Sequence, residues 1–74
     1  MSPSTLDQEA CSKIVDYIVE ASKEIERLNR EMEELEQFIH YDITAYKKYR
    51  VKRGARDAMY QQIRDCHEAL RVLV

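Results

Sequence analysis

The stretch Cys11–Leu35, CSKIVDYIVEASKEIERLNREMEEL, places apolar residues alternately three and four positions apart: Cys11, Ile14, Ile18, Ala21, Ile25, Leu28, Met32 and Leu35. This is the heptad pattern of a coiled coil, with Cys11, Ile18, Ile25 and Met32 at a and Ile14, Ala21, Leu28 and Leu35 at d; Ile39 extends the a series. A stripe of two positions in seven is too narrow to build a core by itself, so it requires a facing helix.

The partner is sought first within the chain. No Gly or Pro interrupts residues 5–39. Upstream, Thr5 with Gln8, or Ser4 with Asp7, reads as a capping box, and Asp7 and Glu9 suit the positive end of a helix dipole. The pattern breaks at Asp42, where the seam would bury a lone carboxylate but where Asp is a good N-cap for a helix restarting at Ile43. Beyond it Met59, Ile63, Cys66, Leu70 and Leu73 resume the four-three spacing. The sequence therefore predicts one all-α domain over residues 1–74. It is an antiparallel coiled-coil hairpin with helices at about 5–40 and 43–73 and a turn at about 40–43, each helix ~45 Å long.

Charge agrees with that pairing. Residues 1–42 carry eleven acids and four bases, a net −7, and residues 43–74 carry eight bases and three acids, a net +5, which together give the chain's −2. With facing residues at i + j near 83, Glu31, Glu33, Glu34 and Glu36 would lie beside Lys47, Lys48, Arg50, Lys52 and Arg53. Such flanking charges set orientation and register more than they add stability.

Gly54 is the remaining breaker. It either ends a helix after Lys52 and Arg53 or sits inside one at a cost of ~1 kcal/mol, retained because backbones approach there; continuation with at most a slight kink is expected.

At 74 residues a single core is expected to supply only ~3–5 kcal/mol, so further partners are expected. The apolar surplus outside the seam, Val15, Tyr17, Val19, Phe38 and Val72, is the candidate partner interface; Val74 adds to an apolar end that docks on something or continues into a longer protein. Packing against a second copy or another protein's helices would complete a four-helix bundle. Tyr17, Tyr41, Tyr46, Tyr49 and Tyr60 either supply interface area or cover the seam edges.

Chemistry is sparse. Cys11 and Cys66 at seam positions read as reduced thiols, with a disulfide between them only if the register matches, and neither pairs with His40 or His67 at metal-ligand spacing. Cys66 and the adjacent His67 point to different sides of a helix, and no triad or phosphate loop is present, so a non-enzymatic chain without a cofactor is expected. The apolar runs are far short of the ~20 residues that span a bilayer, and the N-terminus lacks a signal-peptide layout. A cytoplasmic or nuclear location is the default. Lys47, Lys48, Arg50, Lys52, Arg53 and Arg56 form a basic surface that complements the acidic half of the chain or, as an alternative, lets a helical dimer bind nucleic acid; the acidic whole disfavours nucleic acid as a partner.

Around Gly54 the order Tyr49-Arg50-Val51-Lys52-Arg53-Gly54-Ala55-Arg56-Asp57-Ala58-Met59 resembles the signature of the Rho-effector repeat, the antiparallel coiled-coil finger of protein kinase N, rhophilin and rhotekin. Val51, Lys52, Gly54, Ala55 and the Ala58-Met59 pair carry the likeness, while Arg53 and Arg56 stand where that family usually has acids. The resemblance implies a finger that binds a small GTPase of the Rho type, with Lys52, Arg53 and their exposed neighbours meeting an acidic GTPase surface. The reading from the residues themselves is a coiled-coil assembly or adaptor subunit.

Overall fold

The structure, a computed structural model, describes residues 5–73, with side chains from residue 7 onward. It is a hairpin of two helices, α1 (Thr5–Glu36) and α2 (Ile43–Leu73), packed against each other; among the described residues there is no strand. The capping side chains expected at Ser4 and Thr5, and the apolar end at Val74, lie outside the described side chains.

In α1 every a and d residue from Cys11 to Leu35 is buried or half-buried. The core of the described residues is small: Ala21, Ile25, Leu28 and Met32 from α1 and Ala45 from α2. Register is set by three contacts across the seam. Lys52 Nζ donates to Glu31 Oε1 at 3.3 Å, giving the expected i + j of 83, Arg56 Nη1 donates to Asn29 Oδ1 at 3.1 Å, and the Tyr17 hydroxyl donates to Gln62 Oε1. Among the described residues Glu31–Lys52 is the ion pair that joins the helices. Glu33, Glu34 and Glu36, expected in the same ladder, stay exposed.

The first helix ends at Glu36 rather than near residue 40. Phe38 N–H donates to the Leu35 carbonyl at 2.9 Å, and the Phe38 carbonyl then accepts from Tyr41 N–H at 3.2 Å and Asp42 N–H at 2.9 Å. Phe38 and Tyr41 meet edge to face at 6.1 Å across the turn. Ile39 is half-buried in the turn, so an apolar residue at the next heptad position marks the closing loop and not another helical turn. The loop needs no left-handed residue, since none of the described residues has a positive φ.

Asp42 starts α2. Its Oδ1 accepts from Thr44 N–H at 3.0 Å and Ala45 N–H at 3.3 Å, and its carbonyl accepts from Tyr46 N–H at 3.0 Å. Two of the orphan donors of the first turn are thereby satisfied. Asp42→Ala is expected to lower hairpin stability by about 1 kcal/mol in urea titration, with Asp42→Asn retaining most of it.

The second helix runs through Gly54 without a break. A Cβ built on Gly54 meets nothing within 4 Å, so no close backbone approach inside the chain explains it. Gly54→Ala is therefore expected to stabilise α2 by about 0.5–1 kcal/mol, read as a raised urea midpoint; a lower midpoint would mean that this position is in contact after all.

Helix dipoles favour the hairpin over its separate parts. The last turn of α1 has no base and the first turn of α2 has no acid, although bases favour a helix C-terminus and acids an N-terminus. Asp42 at the N-cap gives α2 one acid at its positive pole, and antiparallel docking adds the acids of α1 beside that pole and the bases of α2 beside the C-terminus of α1. The result is a rod of 60 × 15 × 12 Å with a radius of gyration of 17.0 Å, against about 11 Å for a compact chain of this length.

Candidate functional site

The seam of α2 is longer than its apolar residues suggest. Ala45, Tyr49, Lys52, Arg56, Met59, Ile63, Cys66, Leu70 and Leu73 are all buried or half-buried, and they keep the four-three spacing throughout. Two consecutive layers are cationic. The Lys52 side chain is 28% exposed and is held by Glu31. Arg56 reaches Asn29, lies 3.2 Å from Asp57 Oδ1, and sits over the Tyr60 ring at 6.0 Å. Continuing the spacing backwards from Met59 would have found Arg56, Lys52, Tyr49 and Ala45; a search for apolar residues alone passes over them.

The six bases expected on one surface therefore divide. Lys47, Lys48, Arg50 and Arg53 are exposed, whereas Lys52 and Arg56 turn into the seam. Reversal of Glu31 or Lys52 alone should weaken the hairpin and the double reversal recover part of the loss, with a coupling of about 0.5–1 kcal/mol because both side chains are partly solvated and with the remainder lost because Arg27 also binds Glu31.

The expected partner residues also divide. Val15 and Val19 are exposed at e and b along one edge of α1, and Tyr17 lies at g along the other edge, where it bridges to Gln62. Phe38 belongs to the turn, and Val72 is 81% exposed near the open end. At the turn Phe38 is joined by Tyr41 at 75% exposure, Ile43 at 66% and Tyr46, and the last three line a hollow of about 390 Å³ together with Ile39, His40 and Asp42. This aromatic tip was legible only as scattered tyrosines, because the turn that gathers them is set by Asp42 and Phe38.

Beside the turn lies a second depression, an open groove of about 590 Å³. Leu35 and Val51 form its apolar part, Glu31 and Glu34 stand on the α1 side, and Lys47, Lys48 and Lys52 stand on the α2 side. It presents both signs of charge around an apolar floor, which suits a helix or peptide of mixed charge better than a small molecule.

One edge of α1 is tied along its own length. Arg27 binds both Glu24 and Glu31, and this bond and charge from Arg27 hold the Glu24 carboxyl below the usual carboxylate range. Its contribution is present at neutral pH and falls away as pH drops through that lowered value. Cys11 and Cys66 are both free and half-buried. With the observed register Cys66 lies opposite position 18 and Cys11 opposite position 73, about two helical turns apart, too far for a bond between them.

Among the described residues no group of three or more His, Cys, Asp or Glu side chains could hold a metal ion, and no helix is long and apolar enough to cross a membrane. No protein-family model, curated protein or solved structure matches the chain.

Proposed function

We propose that the chain is a non-catalytic coiled-coil module that joins proteins, acting as an assembly or adaptor subunit whose two helices become part of a four-helix bundle. The observation that carries this is the mismatch between a core of five small or medium side chains among the described residues and the apolar surface left outside it. The chain exposes 5866 Å², whereas a compact monomer of this mass exposes about 4,800 Å². The excess of roughly 1,000 Å² is of the order that one partner contributes to a standard protein interface. Exposed Val15, Val19, Val51, Val72 and the aromatic tip supply anchors, and the bases and acids beside them supply the rim.

The test is cross-linking mass spectrometry on the tagged chain at its native level in its own cells. The expected result is a stoichiometric helical partner, self or other, linked through exposed lysines such as Lys47 and Lys48. Recovery of the chain only as a free monomer would contradict the proposal.

A second reading, a finger that binds a Rho-type GTPase, is favoured by one observation. Arg53, Gly54 and Ala55 of the Rho-effector-like stretch are exposed on the side of an antiparallel hairpin. Pull-down with GTPases loaded in either nucleotide state tests it, and equal recovery of the two states counts against it. The nucleic-acid reading is weakened, because Lys52 and Arg56 are engaged in the seam.

A further inference from the structure

We infer that the outer face of α2 is a second coiled-coil seam, and that its occupant is a second copy of this chain packed antiparallel, α2 against α2. This names the partner and the face for the interaction-module reading and rests on it. Lys48, Val51, Ala55, Ala58, Gln62, Asp65, Ala69 and Val72 recur alternately three and four apart, the same period as the seam that holds the hairpin. They lie roughly a third of a turn round the helix from that seam. All are exposed except half-buried Ala69, with Val51 at 73%. Gln62 accepts from the Tyr17 hydroxyl within the hairpin and Ala69 is half-buried, while the rest of this face is open and is of the kind that a second helix covers.

Residues 43–74 carry a net +5, but the charges on this face balance, one Lys48 to one Asp65, and it is these that select the occupant. Lys48 lies towards the turn and Asp65 towards the open end, so two copies related by a two-fold axis and running antiparallel bring Lys48 of one to Asp65 of the other. The same register places Val51 opposite Gln62 and Ala55 opposite Ala58, each pair formed twice. All three pairings share one value of i + j, 113, as an antiparallel seam requires. Parallel pairing would instead set Lys48 on Lys48 and Asp65 on Asp65, which is repulsive. Neither charge is used within the chain: Asp65 accepts only from Gln61 at 3.2 Å, and Lys48 has no ion pair among the described residues. The matching edge of α1, with Glu20, Glu24, Arg27, Glu31 and Glu34, is too highly charged to serve as such a face. The groove at Leu35 and Val51 opens onto the α2 face and continues it towards the turn.

Sedimentation equilibrium of the full chain tests this. Wild type should dimerise, Lys48→Glu and Asp65→Lys should each weaken dimerisation at least about tenfold, and the double reversal should recover most of the loss. Ala58→Glu should abolish the dimer and leave a helical but less stable monomer whose urea midpoint no longer depends on concentration, since the position is exposed in the hairpin. Loss without rescue in the double reversal, or an Ala58→Glu variant that dimerises like wild type, overturns the choice of face while leaving association intact. A wild type that stays monomeric overturns self-pairing, and the cross-linked partner then decides whether the module reading survives.

Discussion

Met32→Ala and Leu28→Ala are each expected to leave much of the hairpin unfolded at 25 °C in dilute solution. Met32 and Leu28 are the two most deeply buried side chains among the described residues, at 3% and 5% exposure. Truncating such a residue to alanine costs about 2–5 kcal/mol. A rod can close part of the gap by letting its helices approach, so the lower half of that range applies. A domain of this size holds only about 3–5 kcal/mol in its core. The loss therefore removes half or more of the total. The measurement is a urea titration followed by helical circular dichroism, with Val72→Ala, at an exposed site, as the control expected to change little. A loss below about 1 kcal/mol at Met32 would mean that the helices are not held by this seam.

Lys52→Leu with Arg56→Leu is expected to act in the opposite direction. These cations fill adjacent layers of the seam, and the register fixed by Glu31 and Asn29 sets them at the level of Leu28 and Met32. Their partners Glu31 and Asn29 compensate only part of the desolvation. Replacing both by leucine extends the apolar core towards the turn and should stabilise the paired helices by about 1–3 kcal/mol. The expected cost is in specificity. Two copies of α2 paired in parallel through this seam would meet Lys52 with Lys52 and Arg56 with Arg56, so the cations now exclude that arrangement. Without them, sedimentation velocity should show a mixture of association states, although the urea midpoint rises. A fall in stability of more than about 1 kcal/mol would instead show that the Glu31 and Asn29 contacts hold the helices together.

These two cases mark where the sequence could be read and where it could not. From Cys11 to Leu35 the seam is apolar at every heptad position, so periodicity alone identifies it. Asp42 was legible as a cap because a carboxylate at a core position is costly and at an N-cap is useful. The turn-proximal half of α2 was not legible as seam, since Lys52 and Arg56 carry charge and their long stems make them fit positions that hydropathy assigns to solvent. The end of α1 was misjudged because Ile39 continues the apolar series while its backbone has already left the helix. The basic run read as one surface, but a helix distributes ten consecutive residues over all its sides, and only four of the six bases face outward. The surplus apolar residues likewise read as one partner interface, whereas Val15 and Val19 share one edge of α1, Tyr17 lies on the other, Phe38 in the turn and Val72 near the open end.

The dependence of the urea unfolding midpoint on protein concentration tests the central claim most directly, because it asks whether the hairpin stands alone. If the folded chain is completed by a second copy, the midpoint rises with concentration and the folded species sediments at twice the 8.8 kDa chain mass. A midpoint that does not move over a hundredfold range of concentration, with a fully helical species at the monomer mass, would contradict it.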